Sequence, residues 1–234
     1  MRRLLPTLAV LAVAISACGS SKSSSTADIP SGGASAQTSA AAPTPTTPTA
    51  SGCKQIAKAP APKPDGGAKK PTKKLDPAKA WTLDFKTSCG DFTVTLDLKR
   101  GPNAAASMVA LARAGFFKNT IFHRIVPGFV IQGGDPTQAG NGGPGYSTVD
   151  KPPKTTQYTK GVVAMAKAPQ EPAGTAGSQC YVVTGDNSGL TPDYAVLGRV
   201  TNGMATVDRI GALGDQNEKP TQTVALYDVT AASK

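Results

Sequence analysis

Residues 81–234 predict a mainly β fold, a closed barrel capped by two short helices. Three observations carry this. Two adjacent runs alternate apolar and polar residues with the period of a half-buried strand. Six further short apolar runs follow, separated by loops rich in Gly and Pro. Two stretches have the spacing and end signals of a helix. A chain made of many short strands leaves hydrogen-bonding edges open unless the sheet closes on itself, and a barrel removes them.

Taken in order, Trp81, Leu83 and Phe85 face one way in WTLDFKTS, and Phe92, Val94, Leu96 and Leu98 do so in FTVTLDL. Ser88-Cys89-Gly90-Asp91 joins the two runs as a hairpin turn. NAAASMVALARAGFF reads as the first helix, with Asn103 as N-cap, Gly115 as stop, and Met108, Val109 and Leu111 among its core contacts. Short strands follow at 121–125 and 129–133 around Pro127-Gly128. Residues 134–148 form a long Gly-rich loop. Strands at 161–166, 179–184 and 195–200 precede a second helix over 203–210, and a strand at 224–229 closes the chain. At 154 residues this region is large enough to bury one proper core.

The first 80 residues have a different composition. Residues 1–17 read as a signal peptide: Arg2 and Arg3 lead an apolar stretch too short to span a bilayer as a mature helix. It ends in Ile15-Ser16-Ala17-Cys18, which resembles a bacterial lipobox, so Cys18 is the expected lipidation site. This predicts a lipid-anchored (palmitate-bearing) lipoprotein on the extracytoplasmic face of the cell membrane. Residues 18–80 read as a disordered tether, first Ser/Thr/Pro-rich and then Lys/Pro-rich. They hold too few large apolar side chains to offset the entropy of ordering.

The net charge of +10 is unevenly placed. Residues 53–80 carry eight Lys against Asp65 and Asp76, whereas residues 81–234 carry 14 basic and 12 acidic side chains. The folded part is nearly neutral. The tether lysines are dispersed among Pro and Gly without aromatic stacking platforms, which argues against nucleic acid as a partner. With one His and no CxxC, a metal site is not expected. Outside the reducing cytoplasm, Cys53, Cys89 and Cys180 allow one disulfide and three pairings. Cys53–Cys89 is favoured because it would staple the end of the tether beside the first hairpin.

Three segments carry the chemistry: FHRIVPGFVIQGGD (122–135), AMAKAPQEPAGTAGSQCYVVTGD (164–186) and LTPDYAVLGRV (190–200). In this order and spacing they resemble the cyclophilin family of peptidyl-prolyl cis-trans isomerases, and the resemblance covers essentially all of residues 81–234. It implies an eight-stranded antiparallel barrel closed by two helices, acting as a monomer. It also implies an enzyme that accelerates X-Pro isomerisation in proline-containing polypeptides, here during folding of exported or envelope proteins.

That chemistry requires no nucleophile, metal or cofactor. Cis and trans X-Pro amides differ by about 1 kcal/mol but are separated by ~18–20 kcal/mol, the cost of lost amide resonance. In the twisted state the prolyl nitrogen gains a lone pair. An apolar seat for the ring, a cationic donor and anchors for the flanking backbone are sufficient.

The resemblance assigns these parts. Arg124 is the catalytic cation, Gln132 hydrogen-bonds the substrate backbone and orients it, and Phe129 is the floor of the proline pocket. Val130, Tyr181 and Leu190 are its walls, Ala166 and Lys167 meet the peptide through backbone groups, and Gln179 lines the neighbouring pocket. Tyr194 stands where members carry His or Tyr, on the substrate carbonyl side.

His123 is placed near the pocket by the family. As the preceding strand residue it should point away from Arg124, and it reads as a packed or capping side chain. There is no GxSxG elbow to make it a hydrolase base. The run GGDPTQAGNGGPG lacks GK[ST] and opens no helix, so it reads as a turn-rich loop beside the pocket and not as a phosphate cradle.

Departures from the family are Val130 for a common Met, Lys167 for Asn, Cys180 for an aromatic, and Gly189 where tight cyclosporin binders carry Trp. The competing expectation is a proline-peptide binding module with little turnover.

Overall fold

The computed structural model describes residues 52–234. The expected signal peptide, Cys18 and the first part of the tether lie outside these residues. Among the described residues, eight strands close into an antiparallel barrel in the order β1-β10-β3-β4-β8-β6-β9-β2. The strands are β1 (Trp81–Thr87), β2 (Gly90–Leu96), β3 (Thr120–Val126), β4 (Val130–Gly133), β6 (Val162–Met165), β8 (Cys180–Val183), β9 (Val196–Asn202) and β10 (Ala225–Ser233). A two-residue ladder, β5 (Thr148–Val149) with β7 (Thr175–Ala176), sits outside it. This ladder has no periodicity to read from sequence.

Leu83, Phe85, Phe92 and Val94 point inward from the first hairpin and are at most 3% exposed. The Phe85 and Phe92 rings stack at 4.6 Å. Two helices, α1 (Pro102–Arg113) and α2 (Met204–Gly211), pack onto this interior through Met108, Val109, Leu111, Val207 and Ile210.

The start of α1 differs from expectation. Gly101 is the N-cap and Pro102 the first helical residue, where its fixed φ suits the helix and its missing N–H is no loss. Asn103 lies two positions past the N-cap, inside the first turn. Asp150 provides the cap instead: its Oδ2 accepts the N–H of Asn103 at 2.9 Å and of Ala104 at 2.7 Å. The predicted stop is where expected. Gly115 has φ +67, its N–H reaches Ala112 O, and Phe116 N–H reaches Leu111 O, the paired bonds of a Schellman end.

The largest difference lies before the barrel. Composition predicts disorder through residue 80, yet residues 52–80 run along the barrel in an extended path. Cys53 and Cys89 are joined in a disulfide, with Cα atoms 4.0 Å apart, and Lys54 N–H bonds Ser88 O. Ala68 and Leu75 pack against the core, and Trp81 Nε1 donates to Asp76 O. Such a segment cannot build a core of its own, but it can borrow one. Its prolines reduce the chain entropy lost on docking, and backbone hydrogen bonds to a neighbouring loop replace the missing apolar contacts.

Candidate active site

The barrel wall made by β4, β8 and β6 is apolar on both faces. Along β8, Cys180 and Val182 face the interior, while Tyr181 and Val183 belong to a second cluster outside it. The same split divides Ile131 from Val130, and Val163 from Ala164. The outer cluster is covered by Phe129, Leu190 and Tyr194, which are only partly buried and so form the surface of the patch. Phe129 ends the turn after Pro127-Gly128. Its backbone is fixed by Phe129 N–H to Val126 O and by Thr184 N–H to Phe129 O at 2.9 Å.

Tyr158, not anticipated from sequence, holds this patch together. Its hydroxyl donates to Tyr194 O at 2.6 Å and accepts from Tyr194 N–H at 3.0 Å. The Tyr194 ring meets Tyr158 and Tyr181 edge-on. Burial pushes the Tyr181 phenol far above its ordinary range, and its hydroxyl has no hydrogen-bond partner among the described residues.

Arg124 stands opposite Gln132 in the β3–β4 ladder. Its Nη1 donates to Gln132 Oε1 at 3.3 Å, and its Nε to Glu218 Oε2 at 2.7 Å. With a side chain 32% exposed, it keeps its remaining N–H donors for other partners. Glu218 was not anticipated. It lies 94 residues away, in the loop after α2, where the carboxylate of Asp215 accepts the N–H groups of Asn217 and Lys219, and Glu218 O accepts Ile125 N–H. The Arg124 guanidinium draws the Glu218 carboxyl below its usual range.

Polar contacts extend from Arg124. Gln132 Nε2 donates to Gln179 Oε1 at 3.0 Å, and Gln179 Nε2 donates to Gly140 O at 3.1 Å and Gly142 O at 2.8 Å. A cleft of about 810 Å³ opens here, between the Gly-rich loop and residues 166–171. Lys167 is fully engaged. Its side chain, 3% exposed, pairs with Asp193 at 2.7 Å, bonds Glu171 O at 3.0 Å and lies over the Tyr194 ring. Only its backbone is left for a ligand. Ala166 N–H is committed to Gln179 O.

His123 is not brought to the cleft. The β3–β4 register slips between Phe122 and Arg124, so His123 occupies a bulge and is 8% exposed beside Gly140. Burial lowers its pKa, Lys219 and Arg124 act the same way, and Asp135 opposes them. Cys180, the free thiol among the described residues, is buried and pushed up to about 12.

A family model described as cyclophilin type peptidyl-prolyl cis-trans isomerase/CLD matches residues 82–231. The peptidyl-prolyl cis-trans isomerase cypE of Dictyostelium discoideum is 32% identical over 154 residues, 64% of this chain and 97% of that protein. The probable peptidyl-prolyl cis-trans isomerase A of Mycobacterium leprae is 33% identical, over 64% of this chain and 91% of its own length. A cyclophilin type isomerase of Cryptosporidium parvum, crystallised in the presence of the dipeptide Ala-Pro, superposes with a TM-score of 0.60 at 31% identity. That match covers 65% of this chain and 99% of the other.

Proposed function

Because the chain belongs to the cyclophilin-type peptidyl-prolyl cis-trans isomerases and is an isomerase of that type, we propose that Arg124 is its catalytic group and the Phe129 patch its proline seat. The observation that carries this is the state of the guanidinium. Two of its donors are fixed by Glu218 and Gln132, the part-exposed remainder have no partner among the described residues, and Gln132 itself lines the cleft.

The proline ring rests on Phe129, between Val130, Tyr181 and Leu190, with Tyr194 beside the carbonyl. Gln132 and the backbone at Ala166 and Lys167 hold the flanking peptide. As the amide twists, its nitrogen lone pair becomes an acceptor and the open Arg124 donors meet it. The guanidinium therefore binds the twisted state more tightly than either planar isomer, and the barrier falls. Held by two partners, it needs little reorganisation to do so.

The test is X-Pro isomerisation of a short peptide. Arg124→Ala is expected to lower kcat/KM by about a hundredfold or more, the scale of losing a fixed transition-state donor. A wild type that binds the peptide without turning it over would leave a binding module and overturn the catalytic reading.

The setting is proposed from sequence alone. A lipid on Cys18 holds the enzyme at the extracytoplasmic membrane face, where it meets exported chains. Wild type is expected in the membrane fraction and Cys18→Ala in the soluble one. Retention of Cys18→Ala in the membrane removes the anchor from the account.

A further inference from the structure

The polar network of the site does not end at the Gly-rich loop. Residues 60–70 lie against the outside of that loop and bond to it along its length. Gln138 Nε2 donates to Pro60 O at 3.1 Å, and Lys63 N–H to Pro136 O at 2.8 Å. Gly143 N–H donates to Asp65 Oδ1 at 2.8 Å, while Gly66 N–H returns a bond to Gly143 O at 2.9 Å. Ala68 N–H bonds Pro144 O at 3.0 Å, and Lys70 Nζ bonds Ser147 O at 2.8 Å.

The two segments touch at glycines. A Cβ on Gly145 would lie 3.1 Å from Gly66 Cα, and both residues have positive φ, +74 at Gly66 and +86 at Gly145. The Gly-rich run thus has a task that neither a phosphate nor the isomerase chemistry gives it: it receives the strap.

The loop supplies the two carbonyls that hold Gln179. Asp135 secures the loop from within, through the N–H groups of Thr137, Gly140 and Gly142. The strap secures its outer side, and Asp65 also lines the cleft. We propose that residues 60–70 are a positioning brace for the substrate site. They fix the loop carbonyls, these fix Gln179, and Gln179 fixes Gln132, the residue that holds the flanking peptide. The Cys53–Cys89 bond ties the segment leading into this brace to the β1–β2 turn. The proposal rests on the isomerase reading for its kinetic consequence, but not for its structural one.

The test uses the full chain. Gly66→Pro removes the donor to Gly143 and cannot adopt the native φ, yet lies outside the barrel. It is expected to raise KM for an Ala-Pro peptide about fivefold, roughly the worth of one net hydrogen bond, with kcat within about twofold. The two side-chain amide protons of Gln179, separately bonded in the wild type, should move in NMR toward the chemical shifts and solvent-exchange rates of an exposed glutamine. Asp65→Ala should shift KM in the same direction but less, and Asp65→Asn, which keeps the acceptor, should restore it. Wild-type KM and unchanged Gln179 signals in Gly66→Pro would overturn the brace. If the wild type shows no turnover, the isomerase reading fails, and the brace is then decided by the Gln179 signals alone.

Discussion

The two sides of this barrel use the same strand alternation to different ends. On the β1–β2–β10 side, inward Leu83, Phe85, Phe92 and Val94 are buried, while outward Thr82, Asp84 and Lys86 meet solvent or one another. Thr93 Oγ1, for instance, donates to Asp84 at 2.7 Å. On the β4–β8–β6 side the outward residues Val130, Ala164, Tyr181 and Val183 are as buried as the inward ones. That outer face is dry because Phe129, Leu190 and Tyr194 cover it. The active site is therefore a second small apolar body built on the outside of a wall whose inside is already core. Such an arrangement separates catalysis from stability: the cover can change while the interior packing stays intact.

Paired truncations should expose this separation most strongly. Phe92→Ala removes a ring that is 1% exposed and stacked on Phe85, and should cost about 3–5 kcal/mol of stability. The kcat/KM of the fraction that remains folded should hardly change. Phe129→Ala should do the reverse, lowering kcat/KM by at least about tenfold, as loss of a pocket surface does, with a much smaller change in the urea midpoint. Equal destabilisation by both substitutions would mean that the outer patch is core after all, and the contrast between the walls would collapse.

The same contrast explains what could be read beforehand. Alternation placed β1 and β2 because water on one face imposes it. In VVAM and CYVV the burial is two-sided, so periodicity vanishes, and only the motifs around Arg124 and Gln179 showed which face carries the site. The sequence favours Cys53–Cys89 as a staple between tether and hairpin, yet its composition predicts a disordered tether. The composition rule asks whether a segment can bury its own apolar surface, and residues 60–70 are ordered by hydrogen bonds to a loop some 75 positions away. Asp150 and Glu218 were missed for a related reason. A carboxylate that caps a distant helix or holds a distant guanidinium looks locally like any surface acid. Asn103 is a common type of capping residue, but Pro102 at the first helical position moves the helix start two residues earlier.

The smallest effect expected lies at the border of the two walls, on β3, where His123 fills the bulge between the solvent-facing side and the site. Burial lowers its pKa from the ordinary value near 6.5 by more than the neighbouring Asp135 carboxylate raises it, and Lys219 and Arg124 add to the lowering. Below that ordinary value the unfolded chain takes up a proton that the folded chain refuses. Stability is therefore complete above it and declines as pH falls toward the depressed folded-state value. His123 is the only histidine, and the carboxyls of Asp97 and Asp135 are themselves lowered, so they lose their contribution only in a more acidic range. Between pH 7 and 5 the slope of the urea midpoint should thus belong to this one side chain, and His123→Gln should flatten it. A slope that survives the substitution would place the titrating group elsewhere and remove His123 as the acid-sensitive joint between the two walls.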